Sequence, residues 1–123
     1  MLNIGIVGAG VGGLTCALML KKLGHKVTIF EKQSKSISSG VGIQLSSNAI
    51  RILRLFDLED SIASVANFPS MVDCINGHNG KKITSIPLGK IAEKKFNAGF
   101  YQLHRNCLLY TSDAADDMQC VDL

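Results

Sequence analysis

The run Ile4-Gly5-Ile6-Val7-Gly8-Ala9-Gly10-Val11-Gly12-Gly13 constrains this chain more than any other feature. A short apolar stretch enters a Gly-x-Gly-x-x-Gly turn and a helix-forming segment follows. A second apolar run, Val27-Thr28-Ile29-Phe30, then ends on the acid Glu31. That succession of strand, glycine turn, helix, strand and acid is the fingerprint of a βαβ unit that binds a dinucleotide. Each position has a physical task. Gly8 allows a sharp turn out of the first strand, Gly10 presents bare backbone to a pyrophosphate, and Gly13 lets the helix pack close to the sheet. Phosphates placed there meet N–H groups at the helix N-terminus, where the helix dipole favours negative charge. Glu31 then accepts from a ribose hydroxyl, because the second parallel strand ends beside the first. A glycine turn by itself is weak evidence; flanked by both strands, the helix and the acid, it is specific.

Length and composition bound the rest. A chain of 123 residues ordinarily makes one domain. Fewer strands can be read here than a doubly wound sheet uses, so the fold is expected to be an incomplete one. With 46% hydrophobic and 19% charged residues, the composition is that of a globular protein in water. The first charged side chain is Lys21, so the N-terminus carries no basic region of a secretory signal. Five glycines between Gly5 and Gly13 argue against a membrane span. A cytoplasmic location is expected. Cys16, Cys74, Cys107 and Cys120 show no C-x-x-C spacing and no paired histidines, which speaks against a metal site or a disulfide framework. Cys16, on the first helix, is expected to be a small core residue. Up to Asn106 there are thirteen Lys and Arg against six Asp and Glu; from Cys107 onward there are four Asp and no base. The lysines are scattered, as on a solvated surface, and no aromatics interleave them, so nucleic acid is not an expected partner.

Along the chain, Leu2 to Val7 reads as a buried strand, Val11 to Leu23 as a helix capped by Gly24, and Lys26 to Glu31 as the second strand. Gln33 to Gly40 is a Ser/Lys-rich loop. Ser47 is a candidate cap for a helix with Ile50, Leu53 and the Ile52–Leu55–Phe56 group on its apolar face, and a second helical segment runs from Leu58 to Ala66. Met71 to Ile75 and Lys82 to Pro87 flank Gly77-His78-Asn79-Gly80 as a hairpin, and Phe100 to Leu103 is one more strand. The fold class is therefore α/β: a Rossmann-like βαβ unit carrying a helical insert and a β-hairpin, as if a second domain interrupts the nucleotide-binding core early.

Three segments together carry a resemblance. They are the opening fingerprint with Glu31-Lys32, the run Gly40-Val41-Gly42-Ile43-Gln44-Leu45-Ser46-Ser47-Asn48-Ala49, and Leu103-His104-Arg105. In this order the chain over residues 1–106 resembles the N-terminal part of the FAD-dependent aromatic hydroxylases, single-component flavoprotein monooxygenases of the salicylate and 6-hydroxynicotinate hydroxylase type. The resemblance implies that Gly8, Gly10, Gly12 and Gly13 cradle the FAD pyrophosphate, that Glu31 holds the adenosine ribose, and that Lys32 takes the basic position after it. It implies that the loop with Gly42 and Ile43 approaches the flavin. Gln44 stands there near flavin or substrate, where some relatives carry a histidine. Arg105 contacts the ribityl or phosphate region, a task suited to a permanent, forked cation. It further implies NADH or NADPH as transient reductant, O2 and a small aromatic substrate as partners, and oxygen transfer through a flavin C4a-hydroperoxide. The flavin supplies the hard chemistry, which accounts for the lack of any nucleophile or acid–base constellation.

The resemblance stops after Arg105. Residues 107–123 lack the helix of the form Ala/Gly-Asp-Leu-x-x-x-Leu and the Asp-Gly and Gly-Asp segments that the family implies. They resemble instead a string translated from sequencing-adapter DNA. The charge change at Cys107 agrees with a foreign join, so 1–106 are expected to be a partial FAD-binding domain with the start of a substrate domain, and 107–123 a non-native tail. Such a fragment is expected to be inactive alone. Two other readings stay open: a truncated, non-catalytic FAD- or nucleotide-binding fragment, and an NAD-binding dehydrogenase.

Overall fold

The computed structural model describes residues 1–32, 41–114 and 120–122. In chain order its elements are β1 (Asn3–Val7), α1 (Val11–Lys22), β2 (Lys26–Glu31), β3 (Gly42–Leu45), α2 (Ser47–Arg54), α3 (Glu59–Ala63), β4 (Met71–Ile75), β5 (Lys82–Pro87), α4 (Gly89–Phe96), β6 (Tyr101–His104), α5 (Arg105–Ala114) and β7 (Cys120–Asp122). They form two compact units, Met1–Val41 with His104–Leu123, and Gly42–Leu103.

The first unit is the Rossmann-like one. β1 and β2 run parallel with Ile4 opposite Val27 and Val7 opposite Phe30, and β7 lies parallel on the other side of β2. β1 is not buried as expected: it is an edge strand with Ile4 and Ile6 half-buried and Val7 exposed. Parallel strands need a crossover, and α1 provides it. The helix forms because Leu14, Ala17 and Leu18 recur at helical spacing and are all buried. Leu14, Ala17 and Ile29 make the core, with Ile6, Ala9, Val27 and Leu109 packed against it. α1 stops where the sequence says it should. Gly24 adopts a φ of +83°, its N–H donates to the Lys21 carbonyl at 2.8 Å, and the His25 N–H donates to the Leu20 carbonyl at 3.0 Å. That pair of bonds is a Schellman closure, which needs a residue tolerant of the left-handed region. Cys16 falls on the opposite face and is exposed, not a core residue as expected, because position 16 lies away from the 14–17–18 stripe.

The second unit holds two small sheets, β3 with β6 and the β4–β5 hairpin. Leu45, Ile50, Leu53, Leu58, Ile62, Ala92, Ala98, Tyr101 and Leu103 are buried in it. The Ser47 hydroxyl, also buried, donates to the Ala98 carbonyl at 2.8 Å. Several sequence expectations shift here. The N-cap of α2 is Ser46, since Ser47 is already the first helical residue, and Ile52 and Leu55 are exposed because they lie off the Ile50–Leu53 face. The Gly40–Leu45 loop is, from Gly42 on, the strand β3; Gly40 itself, like the whole Gln33–Gly40 loop, lies outside the described residues. The segment 58–66 narrows to Glu59–Ala63, with Leu58 as its N-cap and Ser64 as its C-cap. Helix α4 was not expected at all: Gly89 opens it at φ +56° and Asn97 closes it at φ +55°, two left-handed residues bracketing an otherwise unremarkable lysine-rich run.

The hairpin falls at its expected boundaries. Its loop is tied by the Asn76 N–H to the Lys81 carbonyl at 2.8 Å and by two Asn side chains. Asn76 Oδ1 accepts from the His78 N–H, and Asn79 Oδ1 from the Lys81 N–H. The register slips between Cys74 and Ile75, so that Ile75 faces Lys82 and Ile83 is the extra residue.

Candidate nucleotide-binding site

The glycine turn sits between the end of β1 and the start of α1, and its glycines differ in why they are needed. Gly8 has a φ of +100°, a conformation that side chains rarely adopt. A Cβ on Gly13 would stand 2.0 Å from the Gly8 carbonyl oxygen, so helix and turn touch backbone to backbone there. Gly12 is a third case: a Cβ at that position would meet nothing within 4 Å. The turn is closed on its inner side and open on its outer side.

The donors of the helix end lie in the same place. α1 has Gly10 as N-cap, no side-chain cap and no acidic residue in its first turn. The first helical bond is from the Leu14 N–H to the Gly10 carbonyl at 2.9 Å. The earlier N–H groups thus have no partner within the helix, and the positive end of the dipole lies beside the open turn. An anionic pyrophosphate would fit this cradle: the space beside Gly12 is open, and beside Gly10 only Arg105 comes within 4 Å of an added Cβ.

Two side chains from distant sequence positions join the turn. Glu31, at the end of β2, accepts a hydrogen bond from the Ala9 N–H at 2.6 Å through Oε2. Arg105, the first residue of α5, is exposed and brings Nη2 to within 3.9 Å of where a Cβ on Gly10 would stand. Its own N–H donates to the Val41 carbonyl at 3.0 Å, which fixes the start of α5. The structure therefore brings Gly8, Gly10, Gly12, Gly13, Glu31 and Arg105 together. Lys32 follows Glu31 and is exposed. Gly42, Ile43 and Gln44 belong to the second unit, on β3, with Gln44 exposed and Ile43 half-buried. Among the described residues no group of three His, Cys, Asp or Glu is arranged to hold a metal ion, and no helix is long and apolar enough to cross a membrane.

One charged network escaped the sequence reading. In the second unit Glu59 accepts from Arg54 Nη2 at 2.9 Å, from Arg54 Nε, and from the Tyr101 hydroxyl at 3.1 Å. Arg54 Nη1 reaches the Asn97 carbonyl at 3.0 Å. The Arg54 guanidinium, hydrogen-bonded to Glu59, holds that carboxyl below its ordinary range, with burial opposing and Tyr101 assisting. Burial first, then the hydrogen bond to Glu59, pushes the Tyr101 phenol up to about 12. Tyr101 also packs edge-on against Phe68, with ring centroids 4.8 Å apart. No local signal announces this cluster, because Glu59 and Tyr101 are 42 residues apart in sequence.

The chain is similar to known proteins. Residues 6–52 match the NAD(P)-binding Rossmann-like domain family. Over 104 residues the chain is 36% identical to a 3-amino-4-hydroxybenzoate 2-monooxygenase of Streptomyces cremeus, an alignment covering 85% of this chain and 26% of that protein. It is 31% identical over 103 residues to a 6-hydroxynicotinate 3-monooxygenase of Pseudomonas fluorescens, covering 84% and 27%. The structure of an HpxO variant from Klebsiella pneumoniae complexed with FAD superposes with a TM-score of 0.78, over 98% of this chain and 31% of that one. At 18% identity that likeness attests to the fold alone. The chain spans about a quarter of the length of the curated relatives it matches. Its homologues are FAD-dependent aromatic monooxygenases, among them 6-hydroxynicotinate and 3-hydroxybenzoate hydroxylases.

Proposed function

We propose that this chain is the FAD-binding front end of an NAD(P)H-dependent monooxygenase that hydroxylates a small aromatic substrate with O2 in the cytoplasm. The observation that carries the reading is the convergence of Glu31 and Arg105 on one glycine turn, in a chain whose relatives are named for hydroxylating aromatic acids. In this reading the open side of Gly8, Gly10, Gly12 and Gly13 and the N–H groups of α1 hold the FAD pyrophosphate. Glu31 accepts from the adenosine ribose, with Lys32 flanking it. Arg105 sets its permanent charge against the phosphate or ribityl chain. Gly42, Ile43 and Gln44 are assigned to the flavin or substrate side. Bound FAD, once reduced by NADH or NADPH, supplies the activation of O2 and the transfer of one oxygen atom to the ring. What these residues contribute is binding and orientation; none of them moves a proton.

The 107–123 segment is proposed to be foreign to the parent protein. Sequencing source DNA through the codon for Asn106 tests that idea, and an intact locus encoding the same residues would end it. The same DNA gives the parent for the functional test. The purified parent is expected to retain FAD and to consume NADH or NADPH faster when a hydroxybenzoate or hydroxypyridine carboxylate is added. A colourless parent that retains NAD instead would favour the dehydrogenase reading, for which the family description of residues 6–52 is the one supporting observation. A parent that retains FAD but oxidises no NAD(P)H would be a non-catalytic binding module.

A further inference from the structure

We propose that Glu31 is a positioning residue for the glycine turn itself: its carboxylate continues the β1–β2 ladder one step beyond the point where the backbone leaves it. The last Cα pair of that ladder is Val7 with Phe30, and the Gly8 N–H still donates to the Phe30 carbonyl at 2.7 Å. The φ of +100° at Gly8 then turns the chain toward α1. The next donor, the Ala9 N–H, is met by a side chain: Glu31 Oε2 accepts it at 2.6 Å. Two consecutive N–H groups of the turn are thus held by two consecutive residues of β2, first by a carbonyl and then by a carboxylate.

The exchange has energetic sense. Ala9 is half-buried against the Leu14, Ala17 and Ile29 core, where an N–H without an acceptor is costly. A short bond to an ionised acceptor is stronger than a neutral one. Glu31 would then shape the phosphate cradle before any nucleotide arrives. This rests on the nucleotide-binding reading only for what the turn is used for; the tether exists without nucleotide.

The test is amide hydrogen exchange on the nucleotide-free 123-residue chain in dilute solution, resolved to single residues by mass spectrometry. It compares the native chain with Glu31→Gln, Glu31→Asp and Glu31→Ala. Gly8, held by the Phe30 carbonyl in every variant, is the internal reference. Gln keeps an oxygen at the same reach, Asp is one methylene short, and Ala has no acceptor. Relative to Gly8, the Ala9 amide is expected to exchange roughly tenfold faster or more in the Asp and Ala variants, and by a clearly smaller factor in the Gln variant, whose neutral oxygen is the weaker acceptor. Unchanged Ala9 exchange in Glu31→Ala overturns the proposal, as does equal acceleration in Glu31→Gln and Glu31→Ala. Should the Ala variant fail to fold, the Gln and Asp variants carry the same contrast, and a Gln variant that has lost Ala9 protection overturns it. Loss of FAD retention in the parent would count against the proposed function and leave the tether standing.

Discussion

At the scale of single residues, the glycines of the turn are not interchangeable, and their environments predict opposite outcomes. Gly13 and Gly12 both lie in the first turn of α1, where alanine is intrinsically the better helix former by up to about 1 kcal/mol. At Gly13 that gain is overridden, because the new Cβ would overlap the Gly8 carbonyl oxygen and the obstacle is backbone rather than a movable side chain. Gly13→Ala is expected to destabilise the first unit by about 1–3 kcal/mol. At Gly12 the new methyl meets open space, so Gly12→Ala is expected to keep or slightly raise stability. In the parent the same methyl stands where the pyrophosphate is proposed to lie, and FAD affinity falls. Thermal melts of both variants, with FAD titration of the parent, check the pair; equal melting temperatures for the two would refute the packing argument. The need for glycine at 8 and 13 was legible from spacing alone. The ground for it at 13 was legible only in kind, since a sequence shows a close approach without saying what is approached.

At the scale of elements, β1, α1 and β2 announce themselves because each is coded locally, by an apolar run, a 3-and-4 spacing and a Gly24 stop. The hairpin does so as well, through turn residues that hold the backbone themselves. α4 and β3 do not. α4 is bounded by two left-handed residues rather than by capping side chains, and β3 is a four-residue strand whose partner β6 lies more than fifty residues away. The Arg54–Glu59–Tyr101 cluster that joins α2, α3 and β6 is of the same non-local kind, and its titration is predictable. Glu59 is depressed in the folded state, so its contribution to stability is present above the ordinary carboxyl value of 4.5 and lost as pH falls through the lower folded value. Tyr101 is raised, so its contribution is full below the ordinary phenol value of 10.0 and lost as pH rises toward about 12. Glu59→Gln should flatten the acid limb of a melting-temperature profile. In a Tyr110→Phe variant the one remaining phenol should ionise near 12, read by near-ultraviolet absorbance. Ionisation of that phenol at its ordinary value would show that the hydroxyl is neither buried nor bonded to Glu59.

At the scale of the whole molecule, the interruption of the nucleotide-binding core was readable as a broken β-α-β rhythm, whereas the return of the chain to it was marked only by the resemblance at Leu103-His104-Arg105. The first unit leaves off at Val41 and resumes at His104. Leu108, on α5, is buried, and Leu109 packs against the α1–β2 core, although nothing in Cys107-Leu108-Leu109-Tyr110 reads as more than a short apolar run. The hairpin is the reverse case, plain in sequence yet without a core of its own. Every residue of β4 and β5 is exposed, including Ile83 at 68% and Ile75 at 59%. A two-stranded ribbon is marginal in water without a packed face. Each isoleucine withdrawn from solvent is worth roughly 2 kcal/mol, so contact between copies is the readiest way to cover this one. The 123-residue chain on its own is therefore expected to self-associate with rising concentration, through the hairpin. Ile75→Lys with Ile83→Lys should shift sedimentation toward monomer. The exchange protection of β1 and β2 should stay unchanged, because neither isoleucine is part of their core. If the native chain sediments as a monomer at every concentration, or the double variant associates as strongly, the apolar hairpin is not what draws copies together.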